Sequence, residues 1–252
     1  MPNYDFRTAR LYVEASLTTG ATVTLNAAQS NYLRNVLRLK EGDAVLVFNG
    51  QQGEWRATVA APGKRALALE VTALAREQTG AADLHYLFAP LKHARLDYMA
   101  QKAVEMGASR LQPVITRHVQ VARVNLTRLR ANAIEAAEQC GILTMPEISE
   151  ARPLAEVIAE REPERILVFC DESAETHDPV MALRQAQEAN GRLRPALAVL
   201  VGPEGGFAAE ERALLLNLPN TVRLALGPRI LRADTAAVAA LALVGAVLGD
   251  WR

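Results

Sequence analysis

The side chains best suited to chemistry crowd two short segments of this chain. Gly202-Pro-Glu-Gly-Gly-Phe207 carries one carboxylate, Glu204, among three glycines, and Gly227-Pro-Arg-Ile-Leu-Arg-Ala-Asp234 carries Arg229, Arg232 and Asp234. Neither segment is the G-x-G-x-x-G dinucleotide fingerprint or a P-loop ending in Gly-Lys-Ser/Thr. Pro203 and Pro228 remove N–H donors that a phosphate cradle would use. A ligand held here is read by backbone amides and carbonyls in an apolar slot, which suits an adenosine-type cofactor. Structural turns are the competing reading, because glycine and proline punctuate any α/β chain. Arg232 ends a tight loop among apolar residues, where a guanidinium needs a phosphate, a base edge or a carboxylate beside it. Asp234 suits either a helix cap or a catalytic role. No Ser-His-Asp or Cys-His pairing is suggested by spacing, so nucleophilic catalysis has little support.

Both segments follow apolar runs, Leu197 to Val201 and Val222 to Leu226, that stop at glycine. Runs of four to eight apolar residues bounded by turn signals predict buried strands of a parallel sheet. Ligands of open α/β sheets bind beyond the carboxyl ends of such strands. Upstream the same alternation holds. Strands are expected at Leu84–Ala89, Leu111–Thr116 and Ile166–Cys170. Helices are expected from Arg95 to Met106, from the Asn125 cap to Gln139, after Pro153, and from Pro179 to Gly191. The final helix, about Ala233 to Leu248, is apolar nearly all round, which predicts burial on every side, by the core or by a second subunit.

Residues 1 to about 75 read differently. Short strand-like runs at Arg10–Val13, Ala21–Leu25, Ala44–Phe48, Glu54–Val59 and Ala66–Val71 are separated by turns such as Asn49-Gly50 and Pro62-Gly63. One helix, Ala27 to Arg38, is capped by Asn26. Strands this short at this spacing favour a small β-barrel, a fold that often holds RNA. Among its basic residues, Arg7 and Arg10 flank the first strand, and Arg34, Arg38 and Lys40 lie in and just after the helix. Arg34 and Arg38, four apart, share a helix face and suit either phosphate contact or plain solvation. A polar stretch, 76 to 83, reads as a linker.

Composition narrows the class. The 252 residues are half hydrophobic, and 28 basic residues balance 28 acidic ones, so any nucleic-acid surface must be segregated on one face. Cys140 and Cys170 are the only cysteines and the four histidines are scattered, which predicts neither disulfide nor metal site. The N-terminus lacks a signal-peptide core and Thr235–Gly249 is too short to span a bilayer. A cytoplasmic protein without membrane partners is expected.

The two loop segments together, Val199-Leu-Val-Gly-Pro-Glu-Gly-Gly-Phe207 and Leu226-Gly-Pro-Arg-Ile-Leu-Arg-Ala-Asp-Thr-Ala236, resemble the paired motifs of the RsmE family. Arg10-Leu-Tyr, Val36-Leu-Arg-Leu-Lys-Glu-Gly-Asp43, Lys92, Gln101–Gly107, Pro113 and Glu135–Gln139 extend the resemblance along most of the chain. The resemblance implies an α/β fold: a SPOUT domain with a deep trefoil knot at about 197–236, occupying 76–252, after a PUA-like, RNA-binding β-barrel at 1–75. It implies S-adenosylmethionine as cofactor, 16S rRNA in the small ribosomal subunit as partner, a homodimer, and methylation of a uridine at N3. The cofactor is expected around Leu200, Gly202, Gly205, Gly206, Leu226, Gly227, Ile230 and Leu231, the glycines serving as points of close approach. Arg232 is expected to orient the base or its phosphate, and Arg10, from either subunit, to contact RNA near the target. Glu204 or a water takes the proton, while Arg7, Arg34, Arg38, Lys40 and Lys92 contact RNA. Two positions depart from the family: Asp234 where glutamate is common, and Ile142 where arginine is common. A related methyltransferase acting on tRNA or a ribose 2′-hydroxyl, and a non-catalytic RNA-binding assembly factor, are the competing functions.

Overall fold

The computed structural model describes residues 5, 7–60, 66–121, 123–174 and 178–251, so the Pro62-Gly63 turn lies outside the described residues. The chain divides into two compact units, Met1–Gly80 with Ala137–Met145, and Ala81–Ala136 with Pro146–Arg252.

The first unit contains β1 (Arg10–Tyr12), β2 (Thr22–Thr24), α1 (Ala27–Asn31), β3 (Ala44–Phe48), β4 (Glu54–Val59) and β5 (Ala68–Arg76). Its sheet has the order β1-β3-β4-β5-β2, a half-barrel with β1 parallel to β3 and the other pairings antiparallel. Alternate residues Val45, Val47, Ala57, Val59, Leu69 and Val71 face one apolar core closed by Leu11, Leu25 and Leu33. Asn26 caps α1 as a reciprocal box: its side chain accepts from Gln29 N–H at 2.9 Å, and Gln29 Oε1 accepts from Asn26 N–H at 3.1 Å. The helix expected through Arg38 does not run that far. After Asn31 it widens into a π-helical turn, Tyr32–Val36, and Arg38 follows it at φ 57°. Arg34 and Arg38 therefore do not share a regular helix face, although both remain exposed.

The second unit holds β6 (Leu84–Phe88), α2 (His93–Glu105), β7 (Arg110–Ile115), α3 (Leu126–Cys140, its end grouping with the first unit), β8 (Glu147–Ile148), β9 (Arg152–Pro153), α4 (Leu154–Ala159), β10 (Ile166–Cys170), α5 (Pro179–Asn190), β11 (Leu197–Val201), α6 (Ala209–Leu216), β12 (Thr221–Leu224) and α7 (Ala233–Val247). The sheet runs β12-β10-β11-β6-β7-β8 and every pairing is parallel. All five residues of β11 are buried, as a strand covered on both faces requires. On one face Leu87, Leu167, Phe169, Ala198 and Leu200 pack with Leu154, Ile158 and Leu215. Elsewhere α7 packs against α2, α5 and β11. Helix ends follow the sequence signals. Asp178 caps α5, Pro179 opens it, and Gly191 closes it at φ 72°. Within one chain, α7 buries Ala236, Ala237, Ala240, Leu241 and Val244, while Val238, Ala239, Ala242 and Leu243 stay half-exposed, so the core covers only part of the helix.

Candidate functional site

Because the strands are parallel, the loops leaving β10, β11 and β12 emerge at one edge of the sheet, and there they enclose a cavity of about 390 Å³. That volume lies in the range of small-molecule sites, roughly 300–1,000 Å³. Of the cofactor residues expected from sequence, Gly202, Gly205, Gly206, Leu226, Gly227, Ile230 and Leu231 line it. Leu200 does not; its side chain is fully buried in the core beside Phe169 and Leu87. Glu204, Arg229 and Arg232 line the same cavity. β12 ends at Leu224, so Ala225 and Leu226, expected in the strand, belong to the loop.

The glycines are required for several reasons. Gly206 and Gly227 have φ of 69° and 94°, left-handed values that favour glycine. Gly202 and Gly205 are needed for packing. A Cβ on Gly202 would stand 2.9 Å from the Phe207 ring, and one on Gly205 would stand 3.3 Å from His118 Cβ. These two make room for protein side chains, a packing reason that holds whether or not the cofactor also approaches them. Gly202→Ala is therefore expected to destabilise the protein and Phe207→Leu to restore most of the loss. Gly227→Ala, with nothing within 4 Å to trim, should lose about 1–3 kcal/mol that no neighbouring change recovers. Thermal unfolding of the single and double variants checks both statements.

The loop after β7 braces the first glycine loop. His118 Nδ1 lies 3.1 Å from Gly205 O and 3.3 Å from Gly206 O, so Nδ1 carries the proton and donates. Glu211 Oε1 accepts from Arg117 N–H at 2.8 Å, and its Oε2 accepts from Ala208 N–H at 2.9 Å. One α6 carboxylate thus ties both loops together. Glu204 pairs with Arg95 at 3.2 Å, both side chains over 40 % exposed. An exposed pair like this orients more than it stabilises.

Arg232 is the N-cap of α7 and its carbonyl accepts from Ala236 N–H at 2.8 Å. Its side chain is exposed and makes no capping bond. Asp234 is not the cap; it stands in the first turn of α7, where its charge complements the helix dipole, and accepts from Thr235 N–H at 3.1 Å.

Sequence reasoning missed the third wall. Asp171, Glu172 and Ser173 leave β10 and line the cavity together with Arg212 from α6. The signal was available, since Ile166–Cys170 is an apolar run that ends abruptly in two acids, but it lacks glycine. Cys170 also lines the cavity; burial pushes its thiol up to about 12, so it is not a nucleophile near neutral pH.

The other expected residues lie elsewhere. Arg10 is 8 % exposed, inside the first unit. Its Nε donates to Glu54 at 2.5 Å, Nη1 to Glu138 O at 3.2 Å and Nη2 to Asp5 O at 3.3 Å. Those bonds engage all three nitrogens of the guanidinium and hold it inside the unit, so its burial disfavours RNA contact in this conformation. Ile142 is half-buried against Phe48, Ala137 and Leu143. Arg7, Arg34, Arg38 and Lys40 are exposed on the first unit, and Lys92 is exposed at the start of α2 without lining the cavity.

Comparison with known proteins decides the family. An RNA methyltransferase domain model matches residues 78–245 and an RNA methyltransferase PUA domain model matches 25–72. The ribosomal RNA small subunit methyltransferase E of Rickettsia conorii is 30 % identical over 236 residues, covering 93 % of this chain and 94 % of that protein. The chain belongs to the RsmE family. Two solved relatives share the fold of this RsmE-family member along nearly their whole length. A methyltransferase of Legionella pneumophila, solved with the cofactor SAM, has a TM-score of 0.81 at 26 % identity, covering 97 % of this chain and 99 % of its own. A ribosomal RNA small subunit methyltransferase E of Neisseria gonorrhoeae, bound to S-adenosylmethionine, has a TM-score of 0.81 at 25 % identity, covering 98 % and 100 %.

Proposed function

We propose that this protein transfers a methyl group from S-adenosylmethionine to N3 of a specific uridine in the 16S rRNA of the small ribosomal subunit. The observation that carries the reading is the cavity at the carboxyl ends of β10, β11 and β12, whose lining contains both loop motifs of the family. Its lining fits the cofactor: loop backbone for an adenine edge, apolar Leu226, Ile230 and Leu231 for its faces, and charged groups at the rim. Bound there, the cofactor supplies an electrophilic methyl group.

The chain's own residues do the rest. Uridine N3 is a Watson–Crick pairing atom, so the target base must be unpaired or extruded before it can enter. Removing the N3 proton leaves negative charge on the base, and Arg232, exposed at the cavity rim, is positioned to stabilise that charge or the adjoining phosphate. Glu204, or a water beside it, accepts the proton.

The reading extends to the fold and the assembly. Residues 1–75 form the RNA-binding PUA-like barrel and 76–252 the SPOUT domain with its knot. In support of the knot, β12 lies beyond β10 at the sheet edge while α7 returns to β11 and α2. The half-exposed apolar side of α7 favours a homodimer, for which sedimentation is the direct measurement. No helix among the described residues is long and apolar enough to cross a membrane.

Mass spectrometry of nucleosides from 16S rRNA and, separately, from tRNA of cells with and without the protein tests the function. Loss of 3-methyluridine alone is expected. Loss of a 2′-O-methyl nucleoside or of a tRNA modification replaces the substrate, and an unchanged profile leaves only RNA binding. For the barrel, Arg34, Arg38 and Lys40 changed together to alanine should lower the salt slope of RNA binding by about 2–3 if each meets one phosphate. An unchanged slope removes this face from the interface.

A further inference from the structure

The wall after β10 carries charges that a backbone-built pocket does not need. Asp171 is 7 % exposed. It accepts from Ser173 N–H at 3.1 Å, from Arg212 Nε and Nη2 at 3.2 and 3.0 Å, and from Arg223 Nε at 3.0 Å. Burial alone would raise its carboxyl, but the bonds from Arg212, Ser173 and Arg223 more than reverse this and hold it below the usual range.

Arg212 has one edge spent on Asp171. Among the described residues its Nη1 group has no bonded partner, its side chain is 35 % exposed, and it lines the cavity. Glu172, the next residue after Asp171, lines the cavity as well and is exposed. Its Oε1 stands 4.0 Å from where a Cβ of Gly206 would be, so the carboxylate overlooks the first glycine loop. Tying β10 to β12 accounts for Asp171 and Arg223. It does not account for an open guanidinium edge and an exposed carboxylate on one cavity.

We infer that this wall seats a zwitterion: Arg212 binds the α-carboxylate, and Glu172 the α-ammonium, of the amino-acid end of S-adenosylmethionine. Asp171 is the positioning residue that holds Arg212 in place. The inference rests on the cofactor reading given above. A guanidinium offers N–H groups in a fixed plane that suits carboxylate oxygens, and an ammonium needs acceptors only. An RNA phosphate would use Arg212 but be repelled by Glu172, so the pair of opposite charges favours a zwitterion.

Calorimetry with three ligands reads each charge separately: S-adenosylmethionine, its decarboxylated form, and 5′-methylthioadenosine, which lacks the amino-acid end. Arg212→Gln should weaken S-adenosylmethionine about tenfold or more and leave the other two unchanged. Glu172→Gln should weaken S-adenosylmethionine and its decarboxylated form and spare 5′-methylthioadenosine. Asp171→Asn should follow the Arg212→Gln pattern more weakly, whereas a merely structural role would lower all three affinities together. Equal losses for all ligands, or no loss for any, overturn the inference. So does unchanged cofactor affinity with weakened binding of a 16S rRNA fragment, which would assign Arg212 to phosphate. Thermal unfolding reports whether each variant is folded, and Glu172→Gln, at an exposed position, decides the ammonium half should Arg212→Gln fail to fold. A wild-type protein that binds none of the three ligands overturns the cofactor reading itself, a result distinct from variants that bind like wild type.

Discussion

Glu54→Gln is expected to cost about 3–5 kcal/mol of stability, a large fraction of what a domain of this kind has. Glu54 is 2 % exposed and serves two arginines. Arg10 Nε donates to Oε1 at 2.5 Å, and Arg76 donates through Nε to Oε2 at 2.7 Å and through Nη2 to Oε1 at 2.9 Å. The same guanidinium groups hold the return segment Ala137–Met145, Arg10 through Glu138 O at 3.2 Å and Arg76 through Gly141 O at 2.9 Å. Removing the central charge leaves a buried cation, Arg10, and a half-buried one, Arg76, without the carboxylate they share. Burial alone would raise the Glu54 carboxyl, but hydrogen bonds from Arg76 and Arg10, with their charges, hold it below the ordinary glutamate value of 4.5. A depressed pKa gives stability that is present above the unfolded value and lost as pH falls through the folded one. Urea unfolding should therefore show the gap between wild type and Glu54→Gln at its full size near pH 7 and shrinking below about pH 4.5. A gap that stays constant with pH would mean that the carboxylate's charge is not what stabilises the unit.

That network also marks where sequence reading stopped. Five of the seven strands described in the second unit, the Asn26 cap and the Pro179-to-Gly191 helix were legible, because apolar runs, caps and breakers act over a few residues, whereas the two-residue strands β8 and β9 are too short to show such a pattern. So were the two glycine loops. The burial of Arg10 was not legible, because it is decided by Glu54, 44 positions away, and burial of an arginine has no local signature. Arg38 was misplaced because a π-helical turn and a left-handed residue interrupt a helix whose composition does not announce them. Asp171 and Arg212 went unnoticed for a different reason: neither stands in a glycine motif, and it is the pairing of β10 with both β11 and β12 that brings β10's end beside the two loops. Local chemistry was readable; the partners that three-dimensional pairing supplies were not.

Arg232→Ala is expected to reduce methyl transfer by roughly 10²–10³-fold, the scale seen when one group stabilising developing charge is removed, while leaving cofactor affinity unchanged. The separation follows from where the residue stands. Its backbone belongs to the framework: it caps α7 at φ −66° and ψ 152° and its carbonyl takes the first helical bond, from Ala236. Alanine reproduces all of that. The Arg232 side chain makes no capping bond and is exposed at the cavity rim, so truncating it removes a positive charge without opening the core. Arg229 sits on the same loop and is also exposed, so Arg229→Ala is the control for a general loss of positive charge. If Arg232 acts on the base anion, single-turnover transfer falls for Arg232→Ala far more than for Arg229→Ala, and calorimetry with S-adenosylmethionine gives wild-type affinity for both. Equal losses in the two variants would instead assign the loop's charge to general RNA attraction, which added salt should then weaken in the wild type as well. An Arg232→Ala protein with wild-type turnover would leave the base anion to be stabilised by groups other than this guanidinium.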